Sequence, residues 1–417
     1  MKDCLVLLTK IYPYDKGEEF IENEVPMLAK AFEKVIIIAT STADKPIQTR
    51  NTPENTTVFH IAASKIKKGL PVMAAGLFPF TDFKGYCGAE EREEIGHSLK
   101  RRMYLTYFIA KSELVYEEAH KILAGCELEQ YHGVTFYSYW FYDIALAAVK
   151  LKKSCGADVK RAVSRAHGYD LYPYRNSANY LPMRGYILKY IDMVYPCSQN
   201  GSNYLKKQYP CYSDKIQTAY LGTSDYGLQQ AEKKGVFQIV SCCHITPIKR
   251  VELLAQALAK LKDSGLQPQW THFGGGDGLE DLKKYADEAL GFMKCSFAGE
   301  VKNTELMEYY KNNPVDLFVN TSSSEGLPVS IMEACSFGIP AIATDVGGTG
   351  EIIQNDETGY LLSADVTAEK LAEKIRFVML LPEEKKSLLR ANCRSLWLRE
   401  FCAEQNFAEF AQKIKPF

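Results

Sequence analysis

Short apolar runs alternate with longer amphipathic segments along most of the chain. The runs are apolar at consecutive positions rather than at every second one, which is typical of strands that a parallel sheet buries on both faces. In the first half we predict strands at residues 4–9, 35–40, 57–61, 134–139, 162–167 and 193–198. The intervening segments are long enough for crossover helices. The pattern therefore predicts βαβ units and a doubly wound α/β sheet.

The pattern starts again in the second half of the chain. Further strands are predicted at residues 236–243, 270–273, 296–299, 315–320 and 341–344. A helical pattern covers 388–413, where Trp397, Phe401, Phe407 and Phe410 are expected to form one apolar stripe. A chain of 417 residues fits two domains better than one. Because doubly wound sheets bind ligands beyond the carboxyl ends of their strands, we expect the site in a cleft between two such domains.

The segment 315–334 carries the most specific chemistry. A buried strand ends, a small polar loop follows, and Pro328 stands where the first turn of a helix is expected. Unpaired N–H groups at that helix start favour a diphosphate. Glu325 in the loop and Glu333 in the helix are spaced so that each can accept hydrogen bonds from a different pair of hydroxyls. The alternative is that Glu325 only complements the helix dipole and Glu333 is a surface acid.

The residues that follow favour the binding site. The segments 339–351 and 357–362 continue with a strand, a Gly-Gly turn and a closing Thr-Gly-Tyr-Leu-Leu. Together with 315–334, they resemble the carboxy-terminal donor-binding domain of the family-4 retaining glycosyltransferases, which have the two-domain GT-B fold. The resemblance implies that Glu325 contacts the transferred sugar, that Glu333 contacts the ribose, and that the helix start at Gly326 and Leu327 receives the donor. We expect domains over 1–217 and 218–395, with a final helix over 396–417 that crosses back to the first.

The segment 241–250 is similar to the Arg-and-Lys diphosphate clamp of that family. Lys249 matches the Lys, although a solvated lysine at a helix start is the alternative. His244 stands where the Arg is usual, and Arg250 replaces a common Gly. An imidazole is mostly neutral at pH 7 and lacks the guanidinium fork, so it should hold a phosphate less well. Whether Arg250 compensates for this loss is open.

Three further positions are candidates on the same grounds. Gly275 lies in the glycine-rich segment 273–278, whose amides are expected near phosphate or ribose, and this segment lacks the G-x-G-x-x-G register of an NAD site. Gly17 lies after the first strand, where the family has a flexible loop that faces the cleft; an ordinary βα turn is the alternative. His167 ends a strand and resembles the family's His near the transferred sugar; the alternative is a purely structural histidine. The aromatic and cationic residues of 172–189 suit an acceptor.

Charge and composition limit the partners. A formal net charge of −1 argues against a nucleic-acid partner. Residues 64–111 carry nine Lys/Arg against five acids, which indicates either a solvated loop face or a surface for peripheral contact with an anionic membrane. The apolar run at 4–8 is too short for a signal peptide and no later run could span a membrane, so we expect a cytoplasmic protein, peripheral at most at the inner face. The twelve cysteines contain no C-x-x-C pair, and we expect no metal and no cofactor.

The combined prediction is a retaining glycosyltransferase. It would transfer a sugar from a UDP- or GDP-sugar to a glycan acceptor, lipid-linked, in bacterial cell-surface polysaccharide synthesis, with Glu325, His167 and Lys249 as the catalytic residues. The alternative from another class is a non-catalytic nucleotide-sugar-binding subunit or scaffold, which the His244 substitution favours. A GT-B phosphorylase or epimerase is a further alternative.

Overall fold

The chain forms two compact units, each built on one parallel sheet. The computed structural model describes residues 2–15, 17–77, 88–230 and 235–416. The first unit comprises 1–221 and 404–417, and the second comprises 222–403. Each sheet has six strands, so the predicted α/β class with two Rossmann-like domains is confirmed.

The first unit contains strands β1 to β6 and helices α1 to α7. The strands are β1 (Asp3–Thr9), β2 (Lys34–Thr42), β3 (Thr56–Ala62), β4 (Gly133–Ser138), β5 (Val159–Ala166) and β6 (Met193–Pro196). The helices are α1 (Ile21–Ala31), α2 (Ala63–Leu77), α3 (Ala89–Ile95), α4 (Leu99–Leu123), α5 (Asp143–Ser154), α6 (Arg184–Tyr190) and α7 (Gln199–Gln208). The strand order is β3-β2-β1-β4-β5-β6.

The second unit repeats this order with β12-β11-β10-β7-β8-β9. Its strands are β7 (Gln238–Cys242), β8 (Gln269–Phe273), β9 (Lys294–Gly299), β10 (Leu317–Asn320), β11 (Ala341–Thr344) and β12 (Gly359–Leu362). Its helices are α8 (Val251–Ala259), α9 (Leu279–Ala289), α10 (Asn303–Asn312), α11 (Val329–Ser336), α12 (Thr349–Ile352), α13 (Ala368–Met379) and α14 (Glu383–Glu400). Helix α15 (Ala403–Lys413) then returns the chain to the first unit.

Central strands are buried on both faces, which explains their unbroken hydrophobicity. On β1, Val6 and Leu8 belong to one apolar core, whereas Leu5 and Leu7 belong to the core on the opposite face. Phe410 of α15 packs in that second core. Both cores are therefore needed to hold β1, and the carboxy-terminal helix completes one of them.

The strand order defines where each unit can bind a ligand. In both sheets the chain starts in the middle, proceeds to one edge and then returns to build the other half. The direction reverses between β1 and β4 in the first unit and between β7 and β10 in the second. The loops beyond these strands diverge to opposite faces of the sheet and leave a crevice at their carboxyl ends.

Three sequence-based expectations need correction. The expected helical stripe over 388–413 is two helices, because the chain breaks at Phe401–Cys402, where Thr223 pairs with the backbone on either side of Cys402. Strand β12 was not predicted, because four residues after a turn are too short for a pattern. The described part of 64–111 is largely helical rather than a loop, and its residues 78–87 lie outside the described residues.

Candidate active site

Two loops at the reversal point of the second unit are bound tightly to each other. One follows β7 and ends at Arg250, which has a left-handed backbone (φ 49°) immediately before α8. The other follows β10. The Thr321 hydroxyl donates to the carbonyls of Lys249 (3.0 Å) and Arg250 (2.8 Å), and the Ser323 amide donates to the Ile248 carbonyl (2.7 Å). The loops therefore form one rigid edge that carries Lys249 and Glu325.

Glu325 and Lys249 meet at this edge. Lys249 Nζ lies 2.7 Å from Glu325 Oε1, and Asn320 Nδ2 donates to the same oxygen at 3.2 Å. Glu325 is 9% exposed. Asn320, the last residue of β10, also accepts a hydrogen bond from the Ser322 amide (2.9 Å). Asn320 thus orients both the acid and the loop, a role that the sequence analysis missed.

Helix α11 begins beyond this loop, after Pro328. The first amides that donate within the helix are those of Ile331 and Met332, and both donate to the Pro328 carbonyl. The N–H groups of Val329 and Ser330 therefore have no partner within the helix. The turn after β11 packs against the loop after β10, and the Gly348 amide donates to the Gly326 carbonyl (2.7 Å). A Cβ on Gly347 (φ 57°) would lie 2.0 Å from the Glu325 carbonyl, which explains the Gly-Gly turn. Leu327 is buried.

Glu333 lies within α11 and is partly buried. Its Oε1 accepts a hydrogen bond from Asn303 Nδ2 at 2.7 Å. Burial raises the pKa of Glu333 to about 7, although the hydrogen bond from Asn303 acts in the opposite direction. Burial raises the pKa of the Cys242 thiol at the end of β7, and the charge of Glu333 adds to this effect. Burial likewise raises the pKa of the Cys243 thiol, and there the charge of Glu325 adds to the effect. Both acids therefore flank the end of β7.

The remaining clamp residues are placed differently from Lys249. His244 is exposed, and its Nδ1 lies 3.8 Å from Glu300 Oε1. The Arg250 guanidinium donates to loop carbonyls, from Nε to Thr321 (2.7 Å) and from Nη2 to Ser322 (3.3 Å). Arg250 thus holds the β10 loop in place, and a direct contact with a phosphate stays a prediction.

The glycine-rich segment allows the loops after β7 and β8 to touch backbone to backbone. A Cβ on Gly274 (φ 127°) would lie 1.9 Å from the Cys243 carbonyl oxygen. The Gly275 carbonyl accepts the Ile245 amide at 2.7 Å. These contacts give the glycines a packing role, and donor binding by Gly275 stays a prediction.

In the first unit, His167 lies at the carboxyl end of β5. Its ring contacts those of Tyr139 and Trp140, with centroids 4.8 and 4.6 Å away. Both ring nitrogens are buried and have no hydrogen-bond partner within the described residues. Asp170 accepts the amides of His167 (2.7 Å) and Phe141 (2.8 Å), and so ties the loops after β5 and β4 together. Burial alone would raise the pKa of Asp170, yet the neighbouring His167 and these two amides hold it below the ordinary value.

The loop after β1 is folded back on itself by Glu18. The Glu18 carboxylate accepts three consecutive amides, Lys10, Ile11 and Tyr12, and the Trp140 indole N–H. Gly17 (φ 110°) lies in this loop, and its carbonyl accepts Arg50 Nη1 at 2.8 Å. Neither Glu18 nor Trp140 was predicted as a site residue, although both lie beside strand ends at the reversal point.

One groove of the second unit contains none of the predicted site residues. A groove of about 870 Å³ follows β8, β9 and α10, and none of the predicted residues lines it. The charged candidate residues of the second unit lie at the reversal point instead, so the reversal point is the better candidate site.

Two residues of the segment 172–189, which was predicted to suit an acceptor, are not surface groups. Tyr180 and Arg184 are buried and form hydrogen bonds inside the first unit.

The second unit matches a known family. Residues 228–394 match the family described as "Glycosyl transferases group 1". These residues are a glycosyltransferase domain of that family. The chain is 36% identical over 137 residues to the O-antigen biosynthesis glycosyltransferase WbnH of Escherichia coli, covering 30% of this chain and 36% of the relative. It is 23% identical over 242 residues to the putative colanic acid biosynthesis glycosyltransferase WcaL of Escherichia coli K12, covering 56% and 59%. The chain thus spans about a third to three fifths of the length of these relatives.

Solved structures are similar in fold over nearly the whole chain. Sucrose-phosphate synthase from Thermosynechococcus elongatus has a TM-score of 0.70 at 16% identity, covering 99% of this chain and 98% of that one. Anabaena HepE, solved in complex with UDP, has a TM-score of 0.63 at 15% identity and 99% coverage of both chains. The GT-B fold is confirmed, and the family match confirms the predicted glycosyltransferase domain over residues 228–394. Within the described ranges, no helix is long and apolar enough to cross a membrane.

Proposed function

We propose that the chain is an active retaining glycosyltransferase. It transfers a sugar from a nucleotide diphosphate donor, UDP- or GDP-linked, to a glycan acceptor in cell-surface polysaccharide synthesis. The observation that carries this proposal is the shared edge of the second unit, where Lys249, Glu325 and the start of α11 converge at the strand-order reversal. The names of the relatives, which include O-antigen and colanic acid glycosyltransferases, favour this pathway class.

The chemistry follows from where charge develops. As the bond from the anomeric carbon to the diphosphate breaks, negative charge builds on the departing oxygen, and its stabilisation is the largest demand on the site. Lys249 and the free amides at the start of α11 supply positive charge without a metal. Glu325 holds the sugar and Glu333 accepts from the ribose. His167 of the first unit, whose Nδ1 lies 3.9 Å from Asp170 Oδ2, is the third proposed catalytic residue, a role that rests on the family resemblance. Retention of configuration rests on the family resemblance.

The test removes one charge at a time. Lys249→Ala and Glu325→Ala should each lower kcat for sugar transfer or donor hydrolysis by about 10²- to 10³-fold. Lys260→Ala is the matched control, because this lysine follows the carboxyl end of α8, whereas Lys249 precedes its start, and pairs with Glu369. Parental turnover in both site variants would refute the assignment.

We further propose that the acceptor is lipid-linked and that the enzyme works at the cytoplasmic face of the membrane. Leu99, Met103 and Tyr107 of α4 are about half exposed and recur every four residues, so they share one helical face. Lys100 and Arg101 lie on the same helix, and their side chains donate to backbone carbonyls, that of Ser177 and those of Ala178 and Asn179 respectively. Such a face suits the boundary of an anionic bilayer. Binding to phosphatidylglycerol vesicles in a flotation assay should weaken when Leu99 and Met103 are both changed to Ser, and equal flotation would count against membrane contact.

The second candidate function is a non-catalytic nucleotide-sugar-binding subunit. It is favoured by His244, which stands in place of the family's clamp Arg and lies beside Glu300 rather than contributing a guanidinium. A purified sample that binds UDP but neither hydrolyses nor transfers any UDP- or GDP-sugar would favour this candidate over the enzyme.

A further inference from the structure

Glu18 is a buried acid that the proposed mechanism does not use. It is 8% exposed and follows Gly17 in the loop after β1. Its Oε2 accepts the amides of Ile11 (2.7 Å) and Tyr12 (2.8 Å), and its Oε1 accepts the Lys10 amide (2.9 Å). Three consecutive amides directed at one carboxylate form an anion-binding nest. The chain's own side chain fills this nest.

The same carboxylate holds an aromatic residue of the neighbouring loop. Trp140 Nε1, just beyond β4, donates to Glu18 Oε1 at 2.5 Å. The indole in turn packs against the rings of His167 (4.6 Å) and Tyr169 (5.0 Å). Glu18 therefore connects the loops after β1 and β4 and, through Trp140, reaches the imidazole after β5.

The backbone around Glu18 depends on these bonds. Asp15 (φ 30°) and Glu18 (φ 56°) have left-handed conformations that residues with a side chain rarely adopt. Such conformations persist where surrounding contacts over-determine them, often at functional sites. Arg50 supplies further contacts through the carbonyls of Tyr14 and Gly17. The loop is thus held in one shape by a carboxylate that accepts hydrogen bonds from four N–H groups.

We propose that Glu18 is a positioning residue: its carboxylate fixes the Trp140 indole and thereby the His167 ring at the carboxyl edge of the amino-terminal sheet. The role of His167 in transfer rests on the proposed function, whereas the effect of Glu18 on Trp140 does not. Because both carboxylate oxygens accept N–H groups, a neutral isostere cannot replace Glu18. The amide NH₂ of a glutamine would face an N–H donor on one side or the other.

The first experiment observes the indole directly. The chain has three tryptophans, and the indoles of Trp270 and Trp397 donate to hydroxyls, those of Ser241 and Thr223. In ¹⁵N–¹H correlation spectra, the indole signal of Trp140 is the one that is missing from the spectrum of Trp140→Phe. Glu18→Gln should shift this signal. The other two signals should stay. Glu19→Gln is the matched control, since Glu19 is exposed and its carboxylate accepts, in the described contacts, a hydrogen bond from the nearby Gly17 amide (2.6 Å). It should shift no indole signal.

The second experiment measures function on the same proteins. Glu18→Gln should lower kcat about 10- to 100-fold, as expected for a misplaced site group, and should leave the Kd for UDP within about twofold. Trp140→Phe removes the donor of the same hydrogen bond and should have the same effect on kcat and on the Kd for UDP. This variant replaces Glu18→Gln in the test if Glu18→Gln does not fold. A Trp140 signal unmoved by Glu18→Gln, or parental kcat in Glu18→Gln and Trp140→Phe, would overturn the proposal. If the parent protein shows no turnover, the proposed function fails, and the indole spectra alone decide the positioning.

Discussion

The two units share a strand order but build their candidate sites by different means. In the second unit, loops meet through backbone contacts that need glycine, as at Gly274 and Gly347, and through short polar side chains such as Thr321. In the first unit, acidic side chains connect loops distant in sequence, with Asp170 and Glu18 each accepting from several N–H groups. The difference suits the ligands proposed: a diphosphate needs close approach to the backbone, whereas a glycan needs a shaped set of side chains.

The largest effect is expected at the glycine contact. Gly274→Ala should lower the free energy of unfolding by about 4 kcal/mol, because the new Cβ meets the Cys243 carbonyl and the backbone has positive φ. Gly265→Ala is the control, since its φ is also positive (73°) but no atom lies within 4 Å; it should cost about 1 kcal/mol. Chemical denaturation measures both. Equal losses would show that the close contact is unimportant.

The corresponding change in the first unit is Asp170→Ala. It leaves the amides of His167 and Phe141 buried without their acceptor, so the free energy of unfolding should fall by about 3 kcal/mol at pH 7. The pKa of Asp170 is lower in the folded protein than in the unfolded chain. Its contribution is therefore complete above the unfolded pKa and is lost as pH falls through the folded pKa. Denaturation at pH 7 and in acid should show the parent approaching the variant in acid. Asp158→Ala, at an exposed aspartate, should change little.

A smaller effect of opposite sign is expected for Glu333→Gln. Because burial raises the pKa of Glu333 to about 7, the parent should lose stability as pH rises from about 4.5 to about 7. The variant should be more stable than the parent by roughly 2 kcal/mol at pH 8, allowing for partial exposure, and about equal at pH 5. Melting curves at both pH values test this. UDP binding should weaken about tenfold, and unchanged affinity would contradict ribose recognition.

The smallest effect is expected for Asn303→Ala. Its hydrogen bond favours the ionised form of Glu333, so its removal should raise the pKa of that carboxyl further and cost about 1 kcal/mol of UDP binding at pH 7. Titration calorimetry at pH 7 and pH 8.5 should show a larger loss at pH 7. Asn313→Ala, whose amide donates to a backbone carbonyl, is the control and should leave UDP affinity unchanged.

Much of the second unit's site could be predicted because its determinants are local. The loop and helix of 321–336 carry Glu325 and Glu333 within one short segment, and the start of α11 after Pro328 agrees with that prediction. Asn320 and the pairing of His244 with Glu300 could not be predicted, since each depends on a neighbour brought close by the sheet. Glu18 and Trp140 are 122 positions apart, and no local pattern links them.

The sequence alone determined the strands, the repetition of one α/β pattern and the order of motifs along it, because hydrophobic periodicity and turn chemistry act between near neighbours. Only the tertiary structure decided which polar groups meet: Lys249 with Glu325 across the reversal point, Arg250 with loop carbonyls, and Glu18 with the Trp140 indole. The physical reason is that hydrogen bonds and ion pairs act over a few ångströms, and the parallel sheet brings the ends of distant strands within that range.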